Sequence, residues 1–535
     1  MDRRTNPLGS LDRVTAGDGE PAGSHVEPGP DGPASAAGAP IGPAAHASDA
    51  PEVQSGLFGR GLLYVVVWSL QLVAGTVVSP VLAHLLGPTE FGALSSAIAL
   101  YQVLSVLALL GLDQALVIQR GEDRDGRNAR GLIAVGLALA TIVALLATAT
   151  VPLWQDALGF GAHPTLVIVV ILWTAPAAAV QIMLSLLLAE DRLRAFSLVS
   201  GLSAVGGLVF GLALLLFVHL DAVTYAWGGV ASQFSAMAIA LVLTRPSIRG
   251  LINWGITWRA IRLGFPLAMG GLAYFILNAG DRVIIQSLLG AAEVGRYQVA
   301  YVVGSTVIML LTFTSAAWTP RFAALRTAEE RWALAASSRD ELYRLLLPIT
   351  VGITLAAPAV LRVVAPASFH PDSLTLVVFL VALSAFAVAA SGATGRLLVV
   401  SRRGKTIGLL SGLAAVVNVV LNLLLVPPMG ITGSALATLL AYVMLAALQL
   451  RVLPREPVWV GPPVRLVLAI AAVCIVAAAS TLLPQSIDWN LARLALAVAC
   501  LPWLFVRLKR ARGGGATASG PSDAVQTSAP DGDGR

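Results

Sequence analysis

The chain of 535 residues is 57% hydrophobic and only 12% charged, with a mean hydropathy of +0.81. In soluble domains about a quarter of the residues are charged, so this composition excludes a water-soluble globular protein. Two cysteines are too few for a disulfide scaffold, and a net charge of +6 says little without its distribution. We therefore expect an all-α polytopic membrane protein.

The two ends of the chain differ from its apolar middle. Residues 1–56 are rich in Pro, Gly and acidic side chains, and residues 509–535 are rich in Gly and Ser. Because such segments bury too little surface to become ordered, we predict two disordered cytoplasmic tails. The apolar runs between them have the length of about 20 residues that spans a bilayer. We predict fourteen transmembrane helices: 62–86, 91–118, 131–153, 165–189, 197–218, 223–244, 263–289, 296–320, 343–364, 374–396, 406–426, 432–452, 464–484 and 491–508.

Positive charge alternates between the predicted loops. Arginines cluster in every second loop, from Arg120 and Arg130 to Arg451 and Arg465, whereas intervening loops such as LGPTEFG hold almost none. This alternation follows the positive-inside rule and predicts that both termini are cytoplasmic. We expect a multi-pass protein of the cytoplasmic membrane, and all its predicted outer loops are short.

An internal repeat divides the chain. Leu85–Gly92 and Leu288–Gly295 share the pattern LLGxxExG at an offset of 203 residues, and 200–205 matches 411–416 at an offset of 211. Each half holds six predicted spans that start on the same side, so the halves should be related by a pseudo-two-fold axis along the membrane normal. In transporters with this architecture the substrate site lies between the repeats.

The repeat and the spans together predict the domain organisation. The linker between the halves carries Trp254 and Trp258 beside arginines, a composition that favours a helix at the membrane interface. It is either an ordinary linker or a mechanical coupling between the lobes. The predicted parts are an N-lobe at 57–244, the interfacial linker at 245–262, a C-lobe at 263–453 and two extra C-terminal helices at 454–508.

Residues 85–117 and 263–301 resemble the polysaccharide (Wzx-type) flippase branch of the multidrug/oligosaccharidyl-lipid/polysaccharide exporter superfamily. The resemblance extends over about 57–455, and it implies two six-helix lobes, often with two extra helices. It also implies outward movement of polyprenyl-diphosphate-linked glycans by alternating access. The motifs that carry it are Gly111-Leu112-Asp113, Asp281-Arg282, Leu289-Gly290, Glu293 and Gly295-Arg296-Tyr297.

Three charges lie clearly within predicted spans: Asp113, Asp281 and Arg282. A charge at the centre of a membrane helix costs about 2.5–3.5 kcal/mol, so each needs a partner or an aqueous cavity. Side chains at i and i+1 do not face each other, which disfavours a simple Asp281–Arg282 salt bridge. Arg282 is either a contact for the phosphates of the cargo or a structural partner of a carboxylate or carbonyl. Asn418 and Asn422 are expected to form bonds between helices or to line a cavity.

The candidate site residues follow from helical spacing. Gly271, Tyr274, Asn278 and Asp281 form one stripe, and at an offset of 203 the first half places Gln71 and Gly75 on the equivalent stripe, with Ser79 opposite Arg282. The stripes either line a shared cavity or pack helices together. The predicted substrate-binding residues are Arg282, Asn278, Tyr274 and Gln71; the predicted coupling residues or charge partners are Asp281 and Asp113, with a structural role at an interface as the alternative for Asp113.

The preferred function is a transporter that flips a polyprenyl-diphosphate-linked oligosaccharide for lipopolysaccharide or exopolysaccharide synthesis. A cation-coupled multidrug exporter, a lipid II flippase and a membrane glycosyltransferase are the alternatives. Multidrug exporters of this superfamily resemble one another in an acidic residue within the first helix, which the first predicted helix here lacks. Lipid II flippases typically carry several cavity arginines in the first lobe, and the first two predicted helices here have none in mid-span. The outer loops are too short for a glycosyltransferase. No P-loop, HExxH or CxxC spacing occurs, so we expect no enzyme activity, catalytic residue, cofactor or metal. The expected partners are the lipid-linked glycan, membrane lipids, a polysaccharide polymerase and glycosyltransferases, with no nucleic acid.

Overall fold

The computed structural model describes residues 52–122, 126–454 and 456–513. Almost all of both predicted disordered tails therefore lies outside the described residues. The chain divides into two units, Met1–Ser55 and Gly56–Arg535, and the fold below is that of the second unit.

The described residues form seventeen α-helices, and two pairs of them are continuous through short π-helical turns. Their bounds are α1 Glu52–Leu109, α2 Leu112–Glu122, α3 Arg127–Trp154, α4 Pro164–Ala189, α5 Leu193–Gly201, α6 Gly207–Phe217, α7 Ala222–Thr244, α8 Arg249–Ile252, α9 Trp254–Phe275, α10 Asp281–Leu289, α11 Ala291–Ala324, α12 Ala328–Val364, α13 Thr375–Val400, α14 Gly404–Met429, α15 Ile431–Val452, α16 Val464–Thr481 and α17 Ile487–Gly513.

The prediction of fourteen membrane helices is confirmed. Thirteen helices in the described part of the chain are long and apolar enough to cross a membrane, and the first of these contains a sharp break at Gly87. Gly87 has φ 71°, a left-handed conformation that glycine adopts without steric cost, so α1 turns there and makes two crossings. The pair α5–α6 and the pair α9–α10 each make one crossing through a π-helical turn, at Leu202–Gly206 and Ile276–Gly280.

The crossings form two six-helix lobes. The first lobe comprises α1–α7 and the second comprises α9–α15, with α16 and α17 packed on α12 of the second lobe. The domain boundaries drawn from the sequence stay a prediction.

The repeated LLGxxExG segments meet each other where the lobes touch. A Cβ atom at Gly92 would lie 1.8 Å from the carbonyl oxygen of Ala291, and one at Gly295 would lie 2.2 Å from that of Pro88. Pro88 and Ala291 hold the same position in the repeat, as do Gly92 and Gly295. The two contacts are therefore reciprocal, as a two-fold relation between the halves requires.

Two helices begin earlier than hydropathy predicts. Helix α12 starts after Thr327, whose side chain and that of Glu330 form a capping box, whereas the predicted span begins at 343. Its first turns are charged, so they escape a search for apolar runs. Helix α9 starts at Trp254 and continues into the seventh crossing, so the second half of the predicted separate linker is the first part of this helix.

Polar hydrogen bonds join α14 to α15 within the second lobe. Asn418 Nδ2 lies 3.4 Å from Thr438 Oγ1, and the Ser434 hydroxyl donates to Asn422 Oδ1 at 2.6 Å. Both asparagines are fully buried. The expectation that they bond between helices is therefore confirmed.

Candidate functional site

A cavity of about 520 Å³ lies between the two lobes. Its walls come from α1 on one side and from α9, α10 and α11 on the other. The polar residues that line it are Thr76, Ser79, Ser95 and Gln102 from the first lobe, and Tyr274, Asn278, Arg282, Gln298, Tyr301 and Ser305 from the second. Among its described lining residues Arg282 is the only charged one.

The Arg282 side chain is held at the cavity wall by three hydrogen bonds. Its Nε donates to Gln298 Oε1 at 2.7 Å, and its Nη1 donates to the Asn278 carbonyl at 2.6 Å and to Asp281 Oδ1 at 2.8 Å. The guanidinium carbon also lies 4.3 Å from the ring centroid of Tyr301, within the range of a cation–π interaction. Nη2 takes no part in these three hydrogen bonds.

The Asp281 carboxylate points away from the cavity, and both of its oxygens are occupied. Oδ1 accepts from the backbone N–H of Arg282 at 2.9 Å as well as from Nη1, and Oδ2 accepts from the Tyr297 hydroxyl at 2.5 Å. Asp281 is only 1% exposed. It therefore neutralises the charge of Arg282 and orients the guanidinium from the side opposite the cavity.

The Asp281–Arg282 salt bridge contradicts the expectation that adjacent helical residues do not pair. The reason is the π-helical turn Ile276–Gly280, which interrupts the regular i to i−4 hydrogen bonds just before this pair. Because the Asp281 side chain accepts the Arg282 N–H, the Asn278 carbonyl is left for the guanidinium. The extra residue of the turn also puts Arg282, rather than Asp281, on the cavity side.

The structure describes two of the other three predicted substrate-binding side chains. Asn278 and Tyr274 line the cavity, and Ser79 lies on the first-lobe wall as the repeat predicts. The Asn278 side chain donates to the Tyr274 carbonyl and accepts from the Tyr442 hydroxyl at 3.1 Å. Gln71 belongs to α1, but its side chain lies outside what the structure describes.

Asp113 lines a second cavity of about 380 Å³, enclosed by α1, α2, α4, α7 and α9. This cavity shares Gln102 and Phe275 with the first, so the two adjoin. Asp113 is therefore not a charge partner of Arg282, which lines the first cavity. It lies in the first turn of α2, directly after the turn at Gly111.

Sequence reasoning missed the residues that hold the Arg282–Asp281 pair. Gln298, Tyr297 and Tyr301 all come from α11, and the sequence patterns identify Tyr297 only as part of a motif. Tyr297 and Tyr301 are four residues apart and therefore share a helix face. The sequence did hold a signal for these residues. Two aromatic residues on one face of a helix follow a charge pair on the preceding membrane helix.

The lobes are also joined near one end of the cavity, which the loop charges predict to be the outer end. The Ser96 hydroxyl lies 3.2 Å from both the Arg282 carbonyl oxygen and Gln286 Oε1. Gln286 Nε2 donates to the Gly159 carbonyl of the first lobe at 2.8 Å. Together with the Gly92 and Gly295 contacts, these bonds close that end.

Comparison with known proteins agrees with this architecture. The sequence pattern of the family described as "Polysaccharide biosynthesis protein" matches residues 60–326. Over this segment the chain is similar to the polysaccharide biosynthesis protein family. The described charge pair and the first repeat both lie within the segment that matches this family.

One relative in sequence is the succinoglycan biosynthesis transport protein ExoT of Rhizobium meliloti (strain 1021). It is 27% identical over 309 residues, which cover 55% of this chain and 61% of the relative. The match thus spans less than two thirds of that relative's length.

Solved structures share the fold. The lipid II flippase MurJ in an inward closed conformation superposes with a TM-score of 0.63 at 13% identity, covering 84% of this chain and 99% of that chain. An inward-facing multidrug resistance MATE family transporter of the MOP superfamily superposes with a TM-score of 0.55 at 17% identity, covering 75% and 95%. This chain therefore shares its fold with these two solved structures.

Proposed function

We propose that this protein flips a polyprenyl-diphosphate-linked oligosaccharide across the cytoplasmic membrane, by alternating access, for cell-surface polysaccharide synthesis. The observation that carries the proposal is the guanidinium of Arg282 in the cavity between the lobes. A forked guanidinium matches the oxygens of a phosphate, and Nη2 takes no part in the bonds to Gln298, Asn278 and Asp281.

The rest of the cavity suits a lipid whose head is anionic. No carboxylate lines its described walls, since Asp281 is turned away and bonded to Tyr297. Hydroxyl and amide groups from both lobes surround Arg282, so a diphosphate would meet donors on each side. The similarity of this chain to a succinoglycan biosynthesis transport protein supports such a cargo.

In this proposal the two lobes separate alternately at their two ends. Gly111 and Gly264 are packed backbone to backbone at the end opposite Gly92 and Gly295, where a Cβ at Gly264 would lie 2.5 Å from the Gly111 carbonyl. Release of one set of contacts while the other holds would open the cavity to one side only. Both termini would be cytoplasmic, and a polymerase and glycosyltransferases would act on either side of the step.

The proposal is tested by reconstituting the full chain in liposomes with a fluorescent polyprenyl diphosphate that bears an oligosaccharide. We expect the fluorophore to become accessible to a membrane-impermeant quencher at least tenfold faster than in protein-free liposomes. No acceleration by folded protein would contradict the proposal. Lipid II and a cationic dye are run in parallel, and faster movement of either one would favour the corresponding alternative.

A further inference from the structure

The second cavity, which contains Asp113, has walls of a different chemistry from the Arg282 cavity. Four glutamines line it: Gln102, Gln114, Gln181 and Gln233. Gln233 is bonded to Ser203, with its Nε2 at 2.9 Å from the serine hydroxyl. The side chains of the other three make no hydrogen bond within the described residues, and Gln114 and Gln181 are exposed. Their donors and acceptors are therefore available to a ligand in the cavity.

Aromatic faces and hydroxyl groups complete this wall. Tyr101 and Phe275 line the cavity, and Tyr101 is fixed by stacking on Trp173 at a centroid distance of 4.9 Å. Asp113 is the only charged residue among its described lining residues, so the cavity repels rather than attracts a phosphate. A carboxamide offers two donors and an acceptor, a match for hydroxyl groups that both donate and accept.

We propose that this cavity is the binding site for the sugar residues of the transported lipid, and this rests on the proposed function. Carboxamides with free donors and acceptors beside flat aromatic rings, in a volume of about 380 Å³, fit a neutral carbohydrate. Specific small-molecule sites have volumes of about 300–1,000 Å³.

The geometry of the two cavities allows one molecule to occupy both. They share Gln102 and Phe275, so a diphosphate at Arg282 would place the first sugar next to the amide of Gln102. The glycan would then extend toward Gln114 and Gln181. The anionic and the neutral parts of the substrate are thus separated between a cationic and an amide-lined chamber.

The test compares two lipids that differ only in the glycan. A short-chain polyprenyl diphosphate, bare or bearing a disaccharide of glucose or of galactose, is titrated onto the full chain in nanodiscs by microscale thermophoresis. We expect the double variant Gln114→Leu/Gln181→Leu to bind a disaccharide lipid about tenfold more weakly, because it loses two neutral hydrogen bonds to the sugar. Binding of the bare diphosphate should change less than twofold.

Gln155→Leu is the matched control, because Gln155 lies outside both cavities and its Oε1 is buried without a partner in the described residues. This variant should bind both lipids as the unaltered chain does. Equal weakening of both lipids, or no weakening of either, by the double variant would overturn the sugar site and leave the proposed function standing. If the unaltered chain binds polyprenyl diphosphate no better than phosphatidylglycerol, the proposed function itself fails.

Discussion

At the scale of single residues, the Arg282–Asp281 pair explains how a cation is kept inside an apolar bundle. A buried charge is stable only when it is paired and its remaining donors or acceptors are satisfied. Asp281 and Arg282 are 1% and 6% exposed, and they pair at 2.8 Å. Gln298 and Tyr297 supply the further bonds that this environment requires.

The Tyr297 hydroxyl is expected to be essential for the stability of this arrangement. In Tyr297→Phe the ring remains, but Asp281 Oδ2 loses its partner in a site that excludes water. Leaving a buried acceptor unsatisfied costs about 1–3 kcal/mol, more for a charged group. We expect a lower melting temperature of the purified protein in detergent, measured by differential scanning fluorimetry.

Tyr225→Phe is the matched control for that experiment. Tyr225 is also buried, at 3% exposure, and its hydroxyl makes no hydrogen bond within the described residues. Its loss should change the melting temperature by much less than the loss of the Tyr297 hydroxyl. Equal melting temperatures for the two variants would show that the Tyr297–Asp281 bond contributes no net stability.

At the scale of helices, the contact between the repeated glycines is the closest approach of the lobes at the predicted outer end. A side chain at Gly92 would meet the α11 backbone at 1.8 Å, which a small adjustment cannot relieve. Overpacking of this kind costs about 1–3 kcal/mol. Gly92→Ala should therefore weaken the closed arrangement and increase the population in which this end is open.

The opening can be measured as a distance between spin labels on the two lobes. His219→Cys and Ser368→Cys place labels on exposed positions of the first and second lobe, after Cys474 and Cys500 are replaced by alanine. The Gly92→Ala distance distribution should shift to longer values. Gly412→Ala is the control because no atom lies within 4 Å of its Cβ position. A Gly92→Ala distribution identical to that of this control would contradict the role of the glycine contact.

Helices that are both long and apolar were predictable because crossing a membrane requires an apolar run of a set length. The charged start of α12 and the tryptophan-bearing start of α9 were not, since they continue a helix beyond the apolar stretch. The π-helical turn Ile276–Gly280 was also missed. Its five residues have ordinary composition, and only the coordinates reveal the displaced register that pairs Asp281 with Arg282.

At the scale of the whole molecule, the sequence indicated a cavity between two like halves, but not its walls. Arg282, Asn278 and Tyr274 could be named because they stand out in one helix. The contributions of Gln298 and Tyr301 depend on how α11 packs beside α10, and that of Gln102 depends on the contact between lobes. Such positions arise from tertiary packing over long sequence separations, which local patterns do not encode.

The whole account depends on binding of a lipid diphosphate by Arg282. The most direct measurement is the flipping rate of a fluorescent polyprenyl-diphosphate oligosaccharide in liposomes that contain Arg282→Gln. Loss of charge-assisted hydrogen bonds costs about 1.5–3 kcal/mol each, so the variant should flip at least tenfold more slowly. Arg326→Gln, at an exposed position, serves as the control and should flip at the rate of the unaltered chain. An Arg282→Gln protein that is folded and flips this lipid as fast as the Arg326→Gln control would contradict the account.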